Sequence, residues 1–362
     1  MGALIDALAP VAPLLPGFAA GAAQRMNLIC TQIPSVSVSA TAYRGKIWVE
    51  DSSNFMGSPQ RLNAAIDADY DQVAIAPPST VDYECLRIQS GSQTIPAKLM
   101  QRSQYPIALP ARQAAAIGRR IAFDFEQTVA NLFQDTSIWA NTDIASLGGG
   151  GVTWDNWETA KPDLDLSIAF VAAREQAYGR DPDTLIIGIR LLDNYIRCLT
   201  SQNVALVTSG AAAGPSVQIL QRTAAVQRIK DIHGFTNVHV GQTRVRTSAP
   251  GASLTAGYIW GTDMWIGCLN DGEAQDIGNG AIAVNPVAAL VIRESGANVV
   301  GGVNGNDMTI PSGIQGANFP VVLQVQETSL PQVPGLIMAG DAFMTIAKTD
   351  ANLGYLVTGV VA

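Results

Sequence analysis

ARQAAAIGRRIAFDFEQTVANLFQDT, residues 111–136, is the stretch around which the rest of the chain can be organised. Ile117, Ile121, Phe125, Val129 and Leu132 recur at spacings of four, four, four and three, which draws one apolar stripe down a helix. Ala is abundant and no Pro intervenes, while Arg119, Arg120, Glu126 and Gln127 fall off or beside the stripe. Glu126, like Glu175, reads as a solvated or Arg-paired side chain. Gly118 is a weak point, about 1 kcal/mol worse than Ala in a helix interior. At about 1.5 Å per residue, about 25 residues would span roughly 37 Å. One long helix is expected here.

Upstream the texture differs. Residues 1–43 carry Pro10, Pro13 and Pro16, many small residues and the alternating run PSVSVSATAY from Pro34 to Tyr43. Such a segment cannot form a core alone and reads as an extended arm that frays or lies along a partner. Residues 44–105 hold strand-like pieces, KIWVE (46–50), DYECLRI (82–88) and QTIPAKL (93–99), separated by turn-rich segments such as DSSNFMGSPQ (51–60). They read as a long β-hairpin excursion, poorly stable without something to pack on.

Downstream, the glycine run SLGGGGV (146–152) and Trp154 and Trp157 lead to PDLDLSIAFVAAREQAYG (162–179). That stretch reads as a helix capped by Asp163 or Asp165 and stopped by Gly179. TLIIGI (184–189) reads as a buried strand, RLLDNYIRCL (190–199) as a helix, and AAVQRIKDIHG (224–234) as a short helix ended by Gly234. From TNVHVGQ (236–242) onward strands dominate: GYIWG, MWIGCL, AALVIRE, FPVVLQVQE, AFMTIAK and GYLVTGVV.

Composition narrows the function classes. Apolar residues make up 48% of the 362 and charged residues 14%, so much surface can be covered by self-association, whose cores are depleted in charge. The net charge is −8, with five Lys against seventeen Arg and no cluster of basic residues, which argues against a nucleic-acid-gripping groove. Cys30, Cys85, Cys198 and Cys268 are scattered, which favours reduced, buried thiols over disulfides or a zinc site. The apolar opening lacks a basic start and is broken by its prolines, so neither a signal peptide nor a membrane span is expected.

Catalytic and cofactor motifs are not found. SLGGGGV lacks the Lys and Ser/Thr of a phosphate-binding loop, and no G-x-S-x-G, H-E-x-x-H or G-x-G-x-x-G occurs. His233 and His239 have no ligand set around them; His233 fits a helix C-terminus and His239 the outward position of a strand. Asp163 and Asp165 fit a helix start better than a catalytic pair. No enzyme activity, cofactor or metal is expected.

The order of these parts, and three stretches in particular, resemble the major capsid proteins of tailed bacteriophages with the Hong Kong 97-type fold. The first is ARQAAAIGRRIAFDFEQTVANLFQDTSIW, similar to the spine helix and its exit. The second is TWDNWETAKPDLDLSIAFVAAREQAYGRDPDTLIIGIRLLDNYI, with its Pro-Asp-x-Asp helix start and the passage through Pro182 to Gly188. The third is AAVQRIKDIHGFTNVHVGQTRV followed by AGYIWGTDMWIGCL. The likeness runs in order over about residues 40 to 350.

The resemblance implies an α+β subunit with five parts. These are an N-terminal arm (1–43), an extended loop (44–105), a peripheral domain with the spine helix (106–162), an axial domain (163–335) and a C-terminal return to the peripheral domain (336–362). It implies self-assembly into pentamers and hexamers of an icosahedral shell enclosing double-stranded DNA, without sequence-specific binding. Portal, scaffold and decoration proteins are the implied partners, with no membrane, and the implied location is the virion, assembled in the host cytoplasm. Lys46, Trp48, Arg119, Arg120 and Glu126 are the candidate inter-subunit contacts. Some such proteins join a loop Lys to an Asn covalently; Lys46, Lys98 and Asn352 lie in the right regions, but Asp350 is the only local carboxylate and no cross-link is expected. An encapsulin-type compartment is the alternative of the same fold, and a soluble α/β enzyme a more distant one.

Overall fold

The structure, a computed structural model, describes residues 15, 18, 19, 28–39, 44–49, 78–96, 108–148, 150–202, 221–246, 253, 255–270, 274–278, 281–295, 307–310, 322–328 and 335–361. Most of the expected arm, the turn at 51–60 and Lys98 lie outside them. The chain runs β1 (Ser35–Ser39), β2 (Arg44–Val49), β3 (Ser79–Glu84), β4 (Leu86–Pro96), then helix α1 (Ala108–Phe133) and β5 (Ala140–Asp143). Helix α2 (Pro162–Gln176), β6 (Thr184–Gly188), α3 (Ile189–Ser201), α4 (Arg222–His233) and β7 (Asn237–Gly241) follow. Next come β8 (Arg244–Arg246), β9 (Ala256–Tyr258), β10 (Met264–Gly267), β11 (Ala274–Gly278), β12 (Ala281–Val284) and β13 (Ala289–Ser295). The chain closes with β14 (Asp307–Ile310), β15 (Val322–Thr328), β16 (Gly335–Lys348) and β17 (Gly354–Thr358).

The apolar stripe of residues 111–136 becomes α1, shifted three residues toward the N-terminus. Pro110 lies in its first turn, where a missing N–H costs nothing. The helix stops at Phe133 because Asp135 turns the chain, its carboxylate accepting from the backbone N–H and hydroxyl of Ser137 at 2.8 and 2.7 Å. Ile117, Ile121, Phe125 and Val129 are fully buried. Gly118 is not a defect in this helix. A Cβ there would overlap the backbone of Ala19, so the missing side chain lets the start of the chain cross the helix at close range.

Two sheets serve as walls shared between three cores. The five-stranded sheet, in the order β5-β17-β10-β6-β7, has its three central strands buried on both faces. Leu185, Ile187, Met264, Ile266 and Val357 point into a core completed by α2, α3 and α4. Ile186, Trp265 and Leu356, the alternate residues, point into the core around α1. A strand covered on both faces reads as a continuous apolar run, which is why TLIIG shows no alternation. The six-stranded sheet, β1-β13-β16-β15-β14 with β4 also paired to β16, closes the other side of the α1 core. Along β13, Ala289 and Val291 face α1 while Leu290 and Ile292 face the third core.

That third core changes the reading of residues 44–105. β2 and β3 are not an isolated ribbon: β2 pairs in parallel with β12, and the sheet runs β11-β12-β2-β3. Ile47, Val49 and Tyr83 are buried with Val36, Val38, Ile282, Val284, Leu290 and Ile292. The reading of residues 44–105 as a hairpin excursion in need of something to pack on is therefore corrected for β2–β4, which pack on their own chain. Their strand partners come from residues about 240 positions further on, which local reading of the sequence does not join to them. The piece DYECLRI is also two strands, broken at Cys85.

The helix ends differ in detail. α2 is preceded by Lys161, whose side chain makes no cap, with Pro162 at the first helical position. Asp163 and Asp165 are in the first turn and are not the cap expected for one of them; they still meet the positive end of the helix dipole. Gly234 ends α4 in the left-handed region, φ 78°, its N–H bonding Lys230 O at 2.8 Å. All four cysteines are free and buried.

Candidate functional site

Of the expected contact residues, four are on the surface and one is not. Lys46 and Trp48, two apart on β2, share the outer face of the four-stranded sheet, opposite the side that buries Ile47 and Val49. Trp48 is 43% exposed, a large apolar side chain with no core to fill. Their cross-strand neighbours on β3 are Asp82 and Thr80, and Arg44 completes the row with a 2.5 Å ion pair to Glu84. Arg119 and Arg120 are exposed on α1. They sit on a different layer from β2, so the structure forms two separate surfaces from these residues.

Glu126 is the exception, and its reading as a solvated or Arg-paired side chain is corrected. It is fully buried, on the same helix face as Ala122 and Ala130, one turn away on either side. Oε1 accepts from the backbone N–H of Ile29 at 3.1 Å and from the indole N–H of Trp260 at 2.6 Å. Oε2 accepts from the N–H of Cys30 at 2.8 Å. Three charge-assisted bonds offset the cost of burying a carboxylate. Small residues four positions before and after Glu126 were the legible signal; what they make room for is 96 to 134 residues away. Nearby, Trp265 packs edge to face on both Phe133 and Trp139, with ring centroids 4.7 and 5.5 Å apart, while Phe133 and Trp139 stack on each other.

A second polar cluster ties α2, α3 and α4 together. Asp163 accepts from Tyr195 Oη and Arg228, each at 2.7 Å, and stands 3.8 Å from His233 Nε2. Burial opposes the Asp163 charge, but His233, Tyr195 and Arg228 together hold its carboxyl well below the ordinary range. Burial, and then the Asp163 carboxylate, push the Tyr195 phenol upward. Ser167 Oγ lies 3.3 Å from His233 Nδ1, which completes a Ser–His–Asp sequence of side chains. The geometry does not suit nucleophilic catalysis. Ser167 sits inside a helix with its hydroxyl bonded to Asp163 O at 2.9 Å, and its neighbours' N–H groups are spent on the helix.

His239 is half-buried and not outward-facing, because the edge strand β7 is covered on both sides. Burial, and then the Lys230 charge, lower its pKa to about 4, so the imidazole is neutral. Asn352 is engaged within the chain, its Oδ1 accepting from Gln176 at 3.1 Å and its Nδ2 reaching Tyr178 Oη at 3.3 Å. Among the described residues no three His, Cys, Asp or Glu side chains converge to hold a metal, and no helix is long and apolar enough to cross a membrane.

This arrangement of layers has solved counterparts. A phage-related protein from Bordetella bronchiseptica RB50 matches 96% of this chain and 96% of its own length, at 17% identity and a TM-score of 0.58. The fold is shared with a phage-related protein. A virus-like particle protein from Pyrococcus furiosus is similar over 95% of this chain and 97% of that one, at 10% identity and a TM-score of 0.48. The capsid structure of cyanophage P-SCSP1u is similar over 90% and 85%, at 12% identity and a TM-score of 0.45. The first of these carries the shared fold; the other two are too distant to carry more. No known family's model and no curated protein matches the chain. The α+β class expected from the sequence is the one found, in an arrangement shared with that phage-related protein.

Proposed function

We propose that the chain is the major capsid protein of a tailed bacteriophage. Many copies assemble into pentamers and hexamers of an icosahedral shell that encloses double-stranded DNA. The observation that carries this reading is the end-to-end likeness to a phage-related protein, over 96% of both chains. The five-part division expected from the resemblance belongs to the same proposal, with one refinement. Residues 336–362 serve two units, since β16 lies against α1 while β17 lies between β5 and β10.

The surface chemistry supports a shell. Trp48 and Lys46 on the outer sheet, and Arg119 and Arg120 on α1, are the surfaces offered to neighbours. Interfaces of this kind bury more than about 1,000 Å² per pair and centre on aromatic and Arg side chains. The net charge of −8 suits a wall that encloses DNA without gripping it. Portal, scaffold and decoration proteins would be further partners.

Electron microscopy and size-exclusion chromatography of the purified chain test the proposal. Capsomers or closed particles are expected, holding nuclease-protected DNA when assembled in a phage-producing host. A monomer or small oligomer at all concentrations would end the capsid reading. Closed particles filled with an enzyme cargo in place of DNA would move it to an encapsulin-type compartment.

A further inference from the structure

Glu126 is a buried polar group that joins three parts of the chain distant in sequence: the root of the arm, α1, and the loop between β9 and β10. Its acceptors are divided with a consequence. Oε2 serves Cys30 alone, whereas Oε1 serves both Ile29 and Trp260. Leu28, Ile29, Cys30 and Ile33 are buried around it, so the segment entering β1 is seated against α1 of its own chain. From that seat β1 runs parallel to β13, with Val291 N bonding Pro34 O at 2.9 Å. Trp260 is itself positioned by Gly241, where any Cβ would collide with the indole ring. The end of β7, the indole, the carboxylate and the arm root thus form one continuous line of contacts.

We propose that Glu126 is a latch: it holds residues 28–33 on their own subunit, and holds them firmly only while Trp260 is docked, so that the five-stranded sheet and the arm root move together or not at all. A carboxylate suits this role because it is acceptor-only and can receive three N–H groups at once. An apolar residue in its place would leave the N–H groups of Ile29 and Cys30 buried without an acceptor. The significance for assembly rests on the shell reading. Leu15 and Ala19 are buried in the core around α1 as well, so under that reading the latch fixes how the N-terminal segment enters β1 on its own subunit. The latch itself can be measured without any particle.

Cys30 supplies the readout. Burial first, and then the Glu126 carboxylate, push its thiol well above the ordinary value, so in the latched chain it is both covered and protonated. Full-length wild type and the variants Glu126→Gln, Glu126→Ala and Trp260→Phe would be labelled with iodoacetamide in native buffer. Each cysteine would be followed by peptide mass spectrometry, with helical content followed by circular dichroism. Cys198, buried away from the latch, is the internal control.

Labelling of Cys30 is expected to rise about ten- to hundred-fold in Glu126→Ala while Cys198 stays protected. Glu126→Gln keeps an oxygen for Ile29 and Trp260 but turns an amide N–H₂ toward the Cys30 N–H, so it should release Cys30 nearly as far. Trp260→Phe, which leaves the carboxylate and both arm amides intact, should give a smaller rise. If Glu126→Ala does not fold, the other two variants decide. Cys30 as protected as Cys198 in all folded variants would overturn the latch, and so would a release by Glu126→Gln that Trp260→Phe does not share. Particle yield is scored separately: a chain that never assembles yet shows the labelling pattern retains the latch and loses only the shell reading.

Discussion

At the scale of the residue, the informative positions are polar groups whose partners lie far off in sequence. Asp163 draws charge-assisted bonds from Tyr195 and Arg228. Asp163→Asn should cost roughly 1–3 kcal/mol at neutral pH, measured by urea denaturation, because it leaves the Arg228 charge half-buried and unpaired. The acid dependence has a definite sign. Below the unfolded value of 3.8 the unfolded chain takes up a proton while the folded carboxyl does not, so the Asp163 contribution is full above that pH and is lost as the pH falls toward the lower folded value. The variant should lack that component of the slope. His239 works over another window. Its folded pKa of about 4 against 6.5 means that stability present above pH 6.5 is lost as pH falls from 6.5 toward 4. His239→Gln should flatten the pH dependence of the denaturation midpoint in that range, and an unchanged slope would show that the imidazole is not shielded.

At the scale of the element, the spine helix and the short helices were readable because an amphipathic stripe and a terminal glycine are local signals. Their chemistry was not. A glutamate on a helix is most often solvated, and only the third dimension brings Trp260 and the arm root to Glu126. The excursion of β2 and β3 teaches the same lesson with apolar groups, since its core is completed by β12 and β13. Ile47→Ala tests where that support comes from. Removing a fully buried Ile should cost roughly 2–5 kcal/mol in the dissociated chain itself. A loss seen only in assembled particles would mean that the excursion depends on neighbours after all.

At the scale of the whole molecule, three cores separated by two sheets leave the outer face of β2 uncovered among the described residues, with Trp48 exposed beside Lys46. In the proposed shell, Trp48 is the side chain of this face that a neighbouring subunit would cover. Trp48→Ala should leave the unfolding midpoint of the dissociated chain within about 0.5 kcal/mol of wild type. It should lower the yield of capsomers or particles, read by light scattering. Full assembly with Trp48→Ala would remove this face from the proposed contacts. Arg119 and Arg120 offer a second surface on another layer, so a double variant there should add to the Trp48 effect and not replace it.

The sequence by itself determined the α+β class, the spine helix, the order of parts and the want of a catalytic motif, because periodicity, helix stops and composition act over a few residues at a time. Only the tertiary structure decided that the start of the chain crosses α1 at Gly118, that Glu126 is a buried anchor, that β2–β3 has a core within its own chain, and that the last strand enters the sheet of β6 and β10. Each of these joins residues roughly ninety or more positions apart. Such contacts form because burying apolar surface and satisfying polar groups depend on what meets in space, and a linear pattern records only one side of each meeting.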